Sequence, residues 1–127
     1  MAMNAIDLRK PPQPTESEAA LVRKYVLLPV LLTMLQRDID AVTRSALKVS
    51  LPYIVIMQRM MDTVREDLSR VRSGLGKAGI RIYTEEKNAK GIQCKYVCRG
   101  YHESFTMSRD SVKAEVSLLA GQYVDAR

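Results

Sequence analysis

The sequence predicts an α+β fold: a long antiparallel helical hairpin, then a β-hairpin, then a C-terminal helix, in the order ααββα. Three observations predict it. Two apolar stripes, each spaced by alternating threes and fours, run along residues 28–75 and are separated at Pro52. At residue 80 the apolar period drops to two. After Ser108 the helical period returns.

The first stripe is Leu28, Leu32, Leu35, Ile39, Val42, Ala46 and Val49. The second is Ile54, Met57, Met61, Val64, Leu68, Val71 and Leu75. Each runs for about three heptads of a/d positions, the pattern of coiled-coil-like packing. Ser50-Leu51-Pro52 lies between them; a proline breaks the helical ladder and a serine ahead of it can cap the next helix. The two helices therefore pair as an antiparallel hairpin over 17–75. Thr15 or Ser17 can cap the first of them, with Glu18 three residues after Thr15. We place its start near Ser17 and expect Pro29 to kink it. Gly74, Gly76 and Gly79 are candidates for ending the second.

From Ile80 onwards, Ile80, Ile82 and Thr84 alternate with Arg81, Tyr83 and Glu85. A turn over 87–91 follows, and then Ile92, Cys94, Tyr96 and Cys98 alternate with Gln93, Lys95, Val97 and Arg99. This is a β-hairpin with one apolar face. Gly100 reads as a bulge, beyond which Tyr101, Glu103, Phe105 and Met107 continue in extended form. Ser108 caps a final helix whose stripe is Val112, Val116, Leu119 and Tyr123. That helix covers the apolar face of the hairpin and completes a ββα unit over 79–127. Residues 1–16 hold Pro11, Pro12 and Pro14 without apolar periodicity, and form an extended, polyproline-like arm. The rest, 17–127, is expected to form one domain.

The runs YVLLPVLLTMLQRDIDAV (25–42), LPYIVIMQRMMDTVREDL (51–68) and YVCRGYHESF (96–105) resemble small uncharacterised proteins of Gram-positive bacteria and their prophages. The resemblance covers most of residues 25–123. It implies a phage-type or mobile-element accessory protein, and it carries no site residues.

Composition limits the chemistry. One histidine and two cysteines leave little for metal binding or nucleophilic catalysis. On a strand, Cys94 and Cys98 stand about 13 Å apart, beyond the roughly 7 Å that a disulfide tolerates, so both are expected as free thiols. With His102 they form C-x3-C-x3-H, which extended backbone keeps from converging on zinc. Glu85 and Glu86 point to opposite strand faces and cannot share a proton. Gly74, Gly76 and Gly79 match G-x-G-x-x-G in spacing alone, after a helix and before a strand, the reverse of a dinucleotide site. No enzyme activity, cofactor, metal or small-molecule substrate is expected. The most apolar stretch, 25–35, is shorter than the roughly 20 residues of a membrane span, and the N-terminus has no signal-peptide pattern. A cytoplasmic protein is expected, with no membrane partner.

The net charge of +6 is spread, at +2 in each of 1–48, 49–78 and 79–107 and zero in 108–127. The grouping that points to a partner is Arg70, Arg72 and Lys77 at the end of the second helix with Arg81, Tyr83, Lys95 and Arg99 on the hairpin's polar face. Cations beside a stacking aromatic suit nucleic acid. The stripes also offer more apolar surface than one hairpin needs. Leu28, Leu32, Leu35, Met57, Met60, Met61 and Val64 are therefore expected at a homodimer or partner interface. The expected function is non-enzymatic nucleic-acid binding with assembly through the helices. The alternative is a protein–protein adaptor or virion component whose arm lies on a neighbour.

Overall fold

The computed structural model describes residues 10–124, so the stretch 1–9 of the expected arm lies outside the described residues. Helix α1 spans Glu16–Thr43. Thr15 opens it with a reciprocal pair: its hydroxyl accepts from the Glu18 N–H at 3.1 Å, and Glu18 Oε1 accepts from the Thr15 N–H at 3.0 Å. These bonds satisfy two donors that a helix start leaves orphaned. Pro29 sits inside α1 without dividing it. The helix stops at Thr43, so Ala46 and Val49 fall outside it, contrary to the full length of the first stripe. At this end Thr43 Oγ1 donates to the Ile39 carbonyl at 2.7 Å and Ser45 Oγ to the Val42 carbonyl at 2.6 Å.

Helix α2 spans Leu51–Lys77, with Pro52 in its first turn, where a missing N–H does no harm. Ser50 precedes it but makes no side-chain cap, because it already adopts helical angles. Strands β1 (Ile80–Asn88), β2 (Gly91–Cys98) and β3 (Tyr101–Ser108) form one antiparallel sheet in that order. Helix α3 spans Arg109–Tyr123, capped by the Ser108 hydroxyl, which accepts from the Ser111 N–H at 3.1 Å.

The predicted α+β class stands, with one strand more than the two expected. Gly100 is not a bulge. Arg99 (φ 50°) and Gly100 (φ 91°) both lie in the left-handed region and form a two-residue turn that reverses the chain. The bulge is instead at Tyr83: Ile82 faces Tyr96 and Thr84 faces Lys95, leaving Tyr83 extra. From there the alternation in β1 is inverted, so Glu85 and Lys87 share the inner face with Cys94 and Ile92.

The inner face packs on the helices. Ile80, Ile92, Cys94, Tyr96, Cys98 and Met107 join the buried stripe of α2 and the buried face of α1 in one cluster, closed by Val116 and Tyr123 of α3. Leu28, Leu35, Met60, Met61 and Val64 are all buried within this cluster. Leu32 and Met57 pack against it. The expected partner interface on these residues is corrected accordingly. The surplus width of the stripes is taken up by the sheet and α3 of the same chain.

Three polar contacts pin the layers. Arg23 of α1 pairs with Glu115 of α3 at 3.0 Å, and its guanidinium lies 5.7 Å from the Phe105 ring centre. The Tyr123 hydroxyl donates to Asp67 of α2 at 2.7 Å. Burial and that acceptor both raise the tyrosine's pKa.

Gly91 (φ 143°) is fixed by space as well as angle, since a Cβ there would stand 1.9 Å from the Met107 carbonyl oxygen. Gly91→Ala is expected to destabilise the fold by about 2 kcal/mol or more. Gly121, in α3 with open space around it, should behave oppositely: Gly121→Ala is expected to stabilise by about 0.5–1 kcal/mol. Urea melts of the two variants check both signs.

Candidate nucleic-acid interface

The sheet's outer face is built by pairing register. Arg81 stands opposite Val97, Thr84 opposite Lys95, and Glu86 opposite Gln93. On the other side of β2, Val97 faces His102, Lys95 faces Ser104 and Gln93 faces Thr106. Arg81, Tyr83, Lys95 and His102 are all exposed, and no described helix covers this face. The bulge lets Tyr83 reach across β2: its ring meets His102 edge-on, centroids 5.9 Å apart, with the hydroxyl 3.4 Å from Nδ1. The result is an aromatic pair flanked by two cations, with Glu86 the acid at the β1–β2 end.

Three of the seven expected residues, Arg81, Tyr83 and Lys95, come together here. Arg72 and Lys77 are exposed on the last turns of α2, on a different element. Arg70 is already engaged, at 2.6 Å from Asp67 and 3.8 Å from Glu66, which lowers the charge it can offer to a phosphate.

Arg99 is not on the interface, and this corrects the sequence reading. Its guanidinium turns away from the outer face and uses all five N–H donors internally. Nη1 donates to Glu18 Oε2 and to the Ala78 carbonyl, both at 2.7 Å. Nη2 donates to Glu18 Oε1 at 2.9 Å and to the Gln13 carbonyl at 3.1 Å. Nε donates to the Pro12 carbonyl at 3.0 Å. A guanidinium has no further donor to give. The Tyr101 hydroxyl adds a bond to the Pro11 carbonyl at 3.0 Å. Residues 11–13 of the arm are thus held on the chain's own β2–β3 turn.

The sequence carried one sign of this. A two-residue turn with both φ values positive normally takes Asn-Gly or Asp-Gly, and here it reads Arg99-Gly100. A bulky side chain held there needs compensation from its contacts.

Cys94 and Cys98 are free and buried on the inner face, whereas His102 is on the outer one, so the sheet itself separates them. Burial, with Glu85 nearby, pushes the Cys94 thiol up to about 11. Burial also raises Cys98. Neither is a thiolate near neutral pH. Among the described residues no group of three His, Cys, Asp or Glu side chains could hold a metal ion, and no helix is long and apolar enough to cross a membrane.

The Arg99 hydrogen bonds, with that from the Thr15 N–H, hold the Glu18 carboxyl down to about 2 from an ordinary value of 4.5. A depressed carboxylate stabilises the fold above its unfolded-state pKa, and this stabilisation is lost as pH falls through the folded value. The melting temperature is therefore expected to drop between pH 4.5 and 2, and Glu18→Gln should flatten that decline. Arg99→Lys keeps the charge but loses the fork, and should lower the melting temperature at neutral pH. Thermal melts across pH check both.

A family model described as "YhjD protein" matches residues 13–127. A Bacillus subtilis (strain 168) protein titled "Uncharacterized protein YhjD" is 27% identical over 106 residues, covering 84% of this chain and 88% of the relative. No solved structure matches. The match from Gln13, whose carbonyl Arg99 binds, through α3 agrees with the resemblance to small proteins of Gram-positive bacteria, and on its extent the chain belongs to the YhjD protein family.

Proposed function

We propose that this chain is a non-enzymatic binding protein, a small accessory or regulatory factor that contacts single-stranded nucleic acid through the outer face of its sheet. The observation that supports this reading is the uncovered face itself, where Arg81 and Lys95 flank the Tyr83–His102 pair. Such a face offers cations to the backbone and an aromatic surface to an unstacked base. A helix in a duplex groove is a poorer fit, because the cations sit on strands and the helices pack inward.

Fluorescence anisotropy with a labelled single-stranded 20-mer tests the proposal. Binding should weaken with salt. Arg81→Glu with Lys95→Glu should cost at least about tenfold in affinity, each 1.4 kcal/mol being tenfold. Tyr83→Ala should cost about 1–3 kcal/mol, the worth of one stacked base, with the salt slope unchanged. Wild-type affinity in the charge-reversed protein would sink the reading.

A separate observation favours a protein–protein role. Five of the exposed large apolar side chains, Leu47, Val49, Leu51, Tyr53 and Ile56, cluster at the α1–α2 connection, each 46–67% exposed. Some line a shallow groove with Val42 and Met57. Contiguous apolar surface of this kind marks interaction sites. Assembly of two copies through the hairpin tip is the reading it favours. Sedimentation should then show a concentration-dependent dimer that Leu51→Lys with Ile56→Lys converts to monomer. A wild-type monomer at all concentrations would refute it.

A further inference from the structure

A second cationic surface lies on the opposite side of the sheet from the outer face. A groove of about 540 Å³ opens between one face of α1, the β1–β2 turn and the first turn of α3. That volume falls within the roughly 300–1,000 Å³ typical of small-molecule sites. Its floor is apolar: Pro29, Val30 and Met34 from α1, Ile92 from β2 and Val112 from α3. Its rim carries Arg37, Lys87, Arg109 and Lys113, and no acidic residue lines it.

The four cations arrive from three segments. Arg37 lies eight residues beyond Pro29, on the same face of α1. Lys87 reaches the inner side because the Tyr83 bulge inverted the strand. Arg109 and Lys113 are four apart on α3, whose start is tied to the turn by the Arg109 N–H donating to the Lys90 carbonyl at 2.9 Å. The groove thus also receives the positive end of a 15-residue helix. One rim charge is partly met, since Lys87 pairs with Glu85 at 3.2 Å. Among the described residues Arg37, Arg109 and Lys113 make no ion pair, and they surround an apolar floor.

We propose that this groove binds an organic phosphate with an apolar body, the phosphate between the rim cations and the body on the Pro29–Met34–Val112 floor. A dianionic head is attracted by the three rim charges left after Glu85 pairs with Lys87. An apolar anion uses the floor, which inorganic phosphate cannot.

The test is calorimetric titration of the full chain with octyl phosphate, below its micellar concentration, against octyl glucoside and inorganic phosphate. The proposal expects saturable one-to-one binding of octyl phosphate, at least tenfold tighter than either control. Arg37→Glu with Lys113→Glu, both at exposed positions, should weaken it at least tenfold with the circular-dichroism melt unchanged. Arg81→Glu with Lys95→Glu should leave it intact, which separates this site from the nucleic-acid face. Pelleting with phosphatidate vesicles, lost in the Arg37/Lys113 variant, would assign the head group to lipid; octyl phosphate binding without pelleting would assign it to a free metabolite. Equal binding of octyl glucoside, no saturable binding, or an unaffected Arg37/Lys113 variant would overturn the proposal.

Discussion

The architecture depends on one side chain in a turn. Arg99 holds a backbone conformation unfavourable to any residue with a Cβ, and its guanidinium collects five acceptors from three distant parts of the chain. Glu18 brings the start of α1, Ala78 the end of α2, and Pro12 and Gln13 the arm. A partly buried guanidinium with any donor unpaired would be a liability. Here each donor is used, and the turn strain is offset by bonds that no other residue type could make in that geometry. Glu18 is shared between two tasks, closing the α1 capping box and receiving Arg99.

Helix content was legible because it rests on local rules. The stripe of α2 is buried from Met61 through Leu75, where the heptad pattern put it. The Thr15–Glu18 capping box was equally readable, being a contact within one turn. The first stripe overran the helix past Thr43, where Ala46 and Val49 keep the apolar spacing outside it. What covers a stripe is a tertiary matter. The width that pointed to a second copy is instead covered by β2 and α3 of the same chain.

The candidate surfaces were less legible, for a related reason. Arg81, Tyr83 and Lys95 fall on one face because alternation holds between neighbouring strands. Arg99 follows the same alternation on paper, yet it lies one residue past the strand, where the turn redirects it. The groove could not be read at all. Arg37, Lys87, Arg109 and Lys113 belong to three segments, and Lys87 belongs to the groove only through a one-residue irregularity that no composition predicts.

That irregularity gives strand β1 two parities. Before Tyr83 its odd-numbered residues look outward; after it the even-numbered ones do. A single strand therefore writes to both sides of the sheet in different frames, Arg81 to one and Lys87 to the other. Length is then a functional variable in its own right: one residue gained or lost in β1 would exchange Glu85 and Lys87 for Glu86 and Asn88 between the two surfaces. Every side chain could be retained while the charge pattern of both faces changed.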